Sequence, residues 1–204
     1  MLQTAVIQRI QTLLSHPDRS MIGIAASPGA GKSTFVQTIV DYFGDQVAVI
    51  PMDGFHLANA ELKRLNRANR KGAPDTFDVD GYINLLQRLR RQSTDEIIYA
   101  PYFERSIEEA IANSIAITPD KKLIITEGNY LLLDQKPWSQ ITDLLDESWY
   151  LKISEATRLE RLVNRHIAFG RTADEAHAWV EASDEPNARL IEASQSRADW
   201  TLEL

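Results

Sequence analysis

The stretch that most limits how this chain can fold is Ala26-Ser-Pro-Gly-Ala-Gly31-Lys32-Ser33, a small-residue turn between two apolar patterns. Residues 21–26 before it form a short continuous apolar run, which reads as a buried strand. After it, Phe35, Val36, Ile39, Val40 and Phe43 recur at helical spacing across residues 32–43. Strand, glycine-rich turn and amphipathic helix, in that order, are the setting in which the Walker A pattern binds polyphosphate. Ala26 stands where the first glycine of that pattern often sits. Gly29 and Gly31 let main-chain N–H groups wrap phosphate oxygens, and the helix starting near Lys32 offers its positive end. The expected nucleotide-binding residues are therefore Ser27, Pro28, Gly29, Ala30, Gly31, Lys32, Ser33 and Thr34. Lys32 is expected to reach the β- and γ-phosphates and Ser33 to ligate Mg²⁺.

The rest of the chain supplies a scaffold for such a turn. Apolar runs at residues 46–52, 122–128, 148–153 and 199–204 read as further strands, and residues 97–100 are strand-like. Helical patterns cover residues 2–14, 59–69 and 82–91. Continuous apolar strands alternating with amphipathic helices predict an α/β fold whose parallel sheet is covered on both faces. With 204 residues and an apolar fraction of 44%, one domain over residues 1–204 is expected. There is no cysteine, which excludes disulfide frameworks, thiol nucleophiles and Cys-based zinc sites. A net charge of −7 argues against non-specific nucleic-acid binding. No run of about eighteen apolar residues suggests a membrane span, and the first residues do not read as a signal peptide, so the expected location is cytoplasmic.

Two carboxylates indicate what a bound nucleotide is for. Asp53 follows the second strand in Ile50-Pro-Met-Asp-Gly-Phe-His56, and Glu127 ends the third in Ile-Ile-Thr-Glu-Gly128. Ligands of open parallel sheets sit beyond the carboxyl ends of the strands, so both acids should face the phosphates. One can orient or deprotonate an acceptor hydroxyl while the other holds Mg²⁺ through water; Glu127 stands with Ser33 among the expected metal residues, and Asp53 is either the base or a further metal or water ligand. Each could instead cap a turn beside its glycine. The guanine-reading Asn-Lys-x-Asp tetrapeptide is absent, and Asp78-Val-Asp-Gly81 precedes a helical pattern rather than ending a strand. A small-molecule kinase is the expected activity, with a nucleotide-hydrolysing switch as the alternative.

The C-terminal third carries Arg158, Arg161 and Arg165 on one helical pattern opened by Ser154, then Gly170-Arg171 and a Thr172/Glu175 capping box. A solvated, salt-bridged helix is one reading. Beside a phosphate site, Arg161, Arg165 and Arg171 have a use in stabilising the transferred phosphoryl group, with Arg158 expected only to complete the helix surface. The expected acceptor walls are Phe55, His56, Lys71, Asp75, Asp78, Tyr102, Arg105 and Asn129. Asp78 could equally cap the helix near Tyr82.

These residues resemble the phosphoribulokinase/uridine kinase family of P-loop kinases, which includes bacterial type I pantothenate kinase. The matching pieces are residues 27–34, Met-Asp-Gly-Phe-His (52–56), Lys-Gly-Ala-Pro-Asp-Thr-Phe-Asp (71–78) and Glu-Gly-Asn-Tyr (127–130). The arginine segment through Gly170-Arg-Thr172 is similar to the family's lid. The chain's length and Glu-Gly-Asn-Tyr-Leu-Leu-Leu, followed by Pro137-Trp138, look more like bacterial nucleoside- or sugar-kinase-like proteins, some described as fructose-transport kinases. The resemblance implies a P-loop NTPase three-layer sandwich with a five-stranded parallel sheet of order 2-3-1-4-5. It also implies a small helical lid at about residues 155–175, MgATP as phosphoryl donor, an Asp53 base and a small-molecule alcohol as acceptor. A homodimer is compatible with it.

Overall fold

The computed structural model describes residues 2–204. Its main sheet contains β1 (Ser20–Ala25), β2 (Val47–Pro51), β5 (Leu123–Glu127), β6 (Glu147–Lys152) and β7 (Trp200–Glu203), all parallel, in the order β2-β5-β1-β6-β7. The remaining two strands, β3 (Ile98–Glu104) and β4 (Glu109–Ile117), pair antiparallel as a separate hairpin. With the hairpin set aside, the sheet order is the expected 2-3-1-4-5.

Period-two alternation divides β1, β2, β5 and β6 between two cores. On one face Met21, Ala25, Ile50, Ile124 and Tyr150 pack with Tyr82, Leu86, Trp138 and Ile191. On the other, Ile22, Ile24, Leu123, Ile125, Trp149 and Leu151 pack with Val6, Ile10, Phe35 and Ile39. A strand buried on both faces has no polar side, which is why β1 is buried at all six positions. The first face is covered by α4 (Val79–Arg90) and α7 (Glu185–Ala193), the second by α1 (Thr4–Leu14) and α2 (Lys32–Phe43). The helix predicted at 59–69 is shorter, α3 (Asn59–Arg64), and α4 begins three residues before Tyr82 because Asp78 caps it, accepting from the Gly81 N–H at 2.9 Å.

The C-terminal segment contains α5 (Glu155–Ala168) and α6 (Ala173–Trp179), the latter continued through a π-helical turn at Val180–Asp184 into α7. Ser154 caps α5, and Thr172 with Glu175 forms the predicted capping box of α6. The hairpin lies against the 3₁₀ turn Met52–Phe55 that follows β2. Only glycine fits at position 54: a Cβ there would stand 2.4 Å from the Pro101 carbonyl oxygen. Among the described residues, no helix is long and apolar enough to cross a membrane.

Candidate active site

The turn after β1 takes the backbone shape that an anion cradle requires. Gly29 and Gly31 have φ of +82° and +89°, where a side chain would be strained. A Cβ at Gly29 would also meet Leu162 Cγ at 2.7 Å and the Arg158 carbonyl at 2.8 Å, so α5 sits directly on the turn. No side chain caps the N-terminus of α2, which leaves its first-turn N–H groups free for an anion. Ser27 accepts from the Ala30 N–H at 3.2 Å through its carbonyl. Its hydroxyl faces the scaffold instead, 3.3 Å from Tyr150 Oη and 3.4 Å from Glu192. Any phosphate contact from Ser27 is therefore a main-chain one.

Below the cradle, the Lys32 ammonium donates to the Ala26 carbonyl at 3.0 Å and to Asn129 Oδ1. Ser33 Oγ donates to Glu127 Oε1 at 2.9 Å. Register sets this level: Pro51 of β2 stands beside Glu127 of β5, and Asp53 lies two residues beyond Pro51. Burial lowers the Lys32 pKa, against the opposing pull of Glu127 and Asp53. Burial raises the Glu127 pKa despite the nearby Lys32 ammonium. The charged forms of both are thus poorly solvated, and a polyanion with a divalent cation would supply what water does not. Ser33 and Glu127 are hard oxygen donors suited to Mg²⁺. No group of three His, Cys, Asp or Glu able to hold a metal stands together among the described residues. Phosphate and water would supply the remaining ligands of such an ion.

Across the cleft, Asp53 pairs with Arg105 of the hairpin tip at 3.1 Å. The His56 ring lies between Phe77 and Phe103, with centroids at 4.0 and 4.6 Å, and its Nδ1 is 2.8 Å from the Asp53 carbonyl. Burial lowers the His56 pKa. The Lys71 ammonium is held by Asn59 Oδ1 at 2.7 Å and by the Glu108 carbonyl, and lies 5.1 Å from the Phe103 ring centre. The other expected wall residues are engaged elsewhere. Phe55 is in the core against Tyr82, because its strand-end turn faces inward. Asp75 pairs with Arg67 at 3.3 Å and with Arg70. Asp78 caps α4, and Tyr102 is exposed on the hairpin's outer face.

The arginines divide by environment. Arg161 leans on the cradle, with Nη1 3.4 Å from the Ala30 carbonyl. The Arg165 side chain makes no ion pair or hydrogen bond among the described residues, and burial followed by the charge of Arg105 lowers its pKa. Arg171 stacks on Trp179 at 3.8 Å, with its Nη1 buried and unpartnered. Arg158 corrects the sequence expectation. It is 2% exposed rather than on the surface, paired with Glu185 at 2.5 Å, because α7 brings its carboxylates against that side of α5. Its Nε and Nη1 lack partners just behind Gly29. A cleft of about 480 Å³ opens beside the cradle, lined by Thr34, Phe35, Thr38, Arg161 and, unforeseen from sequence, Leu2, Gln3 and Leu204. Gln3 ties the two ends of the chain together through Nε2 to the Glu203 carbonyl at 3.2 Å.

The family model "Phosphoribulokinase / Uridine kinase family" matches residues 21–203. The chain belongs to this family of ATP-dependent P-loop kinases. A candidate uridine kinase of Schizosaccharomyces pombe is 34% identical over 206 residues, covering 96% of this chain and 87% of that protein. The pantothenate kinase of Bacillus velezensis is 28% identical, covering 87% of this chain and 61% of its own. The crystal structure of a candidate fructose transport system kinase from Silicibacter sp. TM1040 superposes with a TM-score of 0.90 at 36% identity, covering 99% of both chains. Members of this family generally use ATP with Mg²⁺. The cleft residues Leu2, Gln3 and Leu204 fall outside the family-matching span, so family motifs carry no signal for them.

Proposed function

We propose that this kinase transfers the γ-phosphoryl group of MgATP to a hydroxyl of a small metabolite, with Asp53 as general base. The observation that carries this reading is the Ser33–Glu127 hydrogen bond beside the Lys32 ammonium, with Asp53 at the tip of the adjoining strand. In this reading the triphosphate lies in the cradle of residues 27–34, and its nucleoside occupies the cleft lined by Thr34, Phe35 and Arg161. Mg²⁺, when bound by Ser33 and Glu127, supplies charge neutralisation at the phosphates. Lys32 holds the oxygens around the reacting phosphorus. Asp53 orients the acceptor hydroxyl and takes its proton as the oxygen–phosphorus bond forms and the bond to the β–γ bridging oxygen breaks, ADP leaving with that electron pair. Phosphoryl transfer needs little covalent help, so positioning and charge account for most of the acceleration.

The segment at about residues 155–175 acts as the lid. Arg165 and Arg171 have guanidinium donors without carboxylate partners, which suits them to a transferring phosphoryl group. Closure would exclude water that otherwise hydrolyses ATP. An ADP-release screen over nucleosides, hexoses, pantothenate and glycerate tests the reading. Acceptor-stimulated release supports it; slow hydrolysis indifferent to every alcohol, but accelerated by a protein partner, would overturn it in favour of a switch.

A further inference from the structure

We propose that Asn129 is the positioning residue of Lys32: its neutral amide oxygen fixes the ammonium beside the phosphate cradle and keeps it from closing into an ion pair with Glu127. Asn129 then belongs to the phosphate machinery rather than to the acceptor wall expected from sequence, and its role presupposes the kinase reading above.

An ammonium has three N–H donors and no acceptor. In Lys32 one goes to the Ala26 carbonyl at 3.0 Å and one to Asn129 Oδ1, which leaves the third for a phosphate oxygen. Both partners are uncharged, so they hold the ammonium without cancelling it. The acid that could cancel it is close. Among the charged groups around Lys32, Glu127 does most to keep it protonated, ahead of Asp53, while Arg165 and Arg105 act the other way. Yet Lys32 makes no ion pair among the described residues. Glu127 Oε1 accepts from Ser33 Oγ at 2.9 Å, and Asp53 pairs with Arg105 at 3.1 Å. Burial disfavours the charged forms of both Lys32 and Glu127, so a direct pair between them would be tight. It would consume at once the cation that grips the phosphates and the carboxylate expected to serve Mg²⁺. Asn129 prevents that pairing by holding one of the donors.

The mounting of Asn129 suits this task. It follows Gly128, whose N–H donates to the Ile24 carbonyl at 3.1 Å, and where a Cβ would stand 2.5 Å from Met52 Cβ. On its other side Tyr130 is fully buried, and the Tyr130 hydroxyl donates to the Gly72 carbonyl at 2.5 Å. A side chain that places a charged group needs support of this kind. Because an ammonium only donates, the oxygen of the amide faces Lys32, and the remainder of the amide offers only N–H donors. A phosphate tolerates those. Aspartate has the same shape but would bring a carboxylate, which neutralises Lys32 and repels the nucleotide.

The test is calorimetry of the full chain with the Mg²⁺ complex of the β,γ-imido analogue of ATP, no acceptor being present. Asn129→Ala should weaken binding by about 3- to 10-fold, the ordinary worth of one hydrogen bond. That loss should vanish in a Lys32→Ala background, because the amide acts through the ammonium. Asn129→Asp should be the poorer binder of the two single variants, by about 10- to 100-fold against wild type and so close to Lys32→Ala, although it keeps both the shape and the hydrogen bond. Melting curves show whether each variant folds, and the two are independent arms, so loss of the fold in one leaves the other decisive. A merely structural asparagine predicts the reverse order, with Asp milder than Ala, and an equal loss with and without Lys32. An asparagine of the acceptor wall predicts unchanged affinity in Asn129→Ala. Either result overturns this inference alone. Absence of nucleotide binding by the wild-type chain overturns the kinase reading and this inference with it.

Discussion

Asp53→Asn keeps the shape of the side chain and removes its capacity to take a proton. General-base assistance contributes about 10²- to 10⁴-fold, so kcat should fall by that factor, equivalent to about 3–5 kcal/mol of lost transition-state stabilisation. The fold should hardly register the change. The interaction removed is the pair with Arg105, whose side chains are 35% and 46% exposed. A pair so exposed is worth about 0–1 kcal/mol, or a shift of about 2–4 °C at most in Tm for a chain of this size. Nucleotide affinity is subject to two opposing effects. Losing Asp53 weakens the field that keeps Lys32 protonated, but it also removes a negative charge near the phosphates. The net change in MgATP affinity should be small. Acceptor-dependent ADP release, calorimetry with MgATP and a melting curve measure the three quantities. A rate loss smaller than about tenfold with unchanged affinity refutes the base assignment. A loss reversed by raising Mg²⁺ would show that Asp53 serves the metal instead.

Other positions make separable predictions. Lys32→Ala removes the ammonium from the cradle and should weaken MgATP binding by about 10- to 100-fold in calorimetry, the value of a hydrogen bond to a charged group. Glu127→Gln should abolish Mg²⁺-dependent turnover yet raise Tm at neutral pH. Burial lifts the Glu127 pKa above its unfolded value, so the ionised side chain costs the folded state stability as pH rises through that window. The advantage of the variant should shrink as pH falls towards about 4, the ordinary glutamate range; a variant less stable than wild type at pH 7 would contradict this. Arg158→Ala strands the 16%-exposed Glu185 carboxylate and should cost about 3–5 kcal/mol in urea unfolding, with part recovered by adding Glu185→Gln. Gly54→Ala drives a Cβ to 2.4 Å from a backbone oxygen of the hairpin and should cost about 1–3 kcal/mol. It should raise the acceptor KM more than the KM for MgATP.

The parts of this structure legible in the sequence are those that a local pattern determines. The central strands β1 and β5 are buried at every position, and their unbroken apolar runs are visible without any neighbour. The cradle is legible because Gly29 and Gly31 each stand where the backbone needs positive φ. The hairpin is only half visible in the sequence, for a physical reason. Pro101 interrupts β3, where proline is tolerated because the register shifts between Ala100 and Tyr102. Its partner β4, Glu-Ala-Ile-Ala-Asn-Ser-Ile-Ala-Ile, is largely exposed and rich in weak strand formers, with Asn113 at φ +60°. The burial of Arg158 is not legible for a different reason. It shares a helix with Arg161 and Arg165, and what buries it is a pair of acids on α7, Glu185 and Glu192, far along the chain. No spacing rule on α5 carries that information.

This division bears on where specificity resides. The nucleotide half of the cleft is built from strand ends and a helix start, elements whose positions two packed cores enforce from both faces of the sheet. The half proposed for the acceptor is built from loops and a hairpin fastened to the sheet through the 3₁₀ turn at Met52–Phe55, with Gly54 as the point of close approach. Substitutions in the first half disturb packing on which the whole chain depends, whereas substitutions at Arg105 or Lys71 disturb exposed contacts of small energetic weight. Acceptor preference can therefore be altered at little cost in stability, while the phosphate machinery cannot. Arg105, paired with Asp53 and half-exposed to solvent, is the position at which that freedom would meet the proposed chemistry.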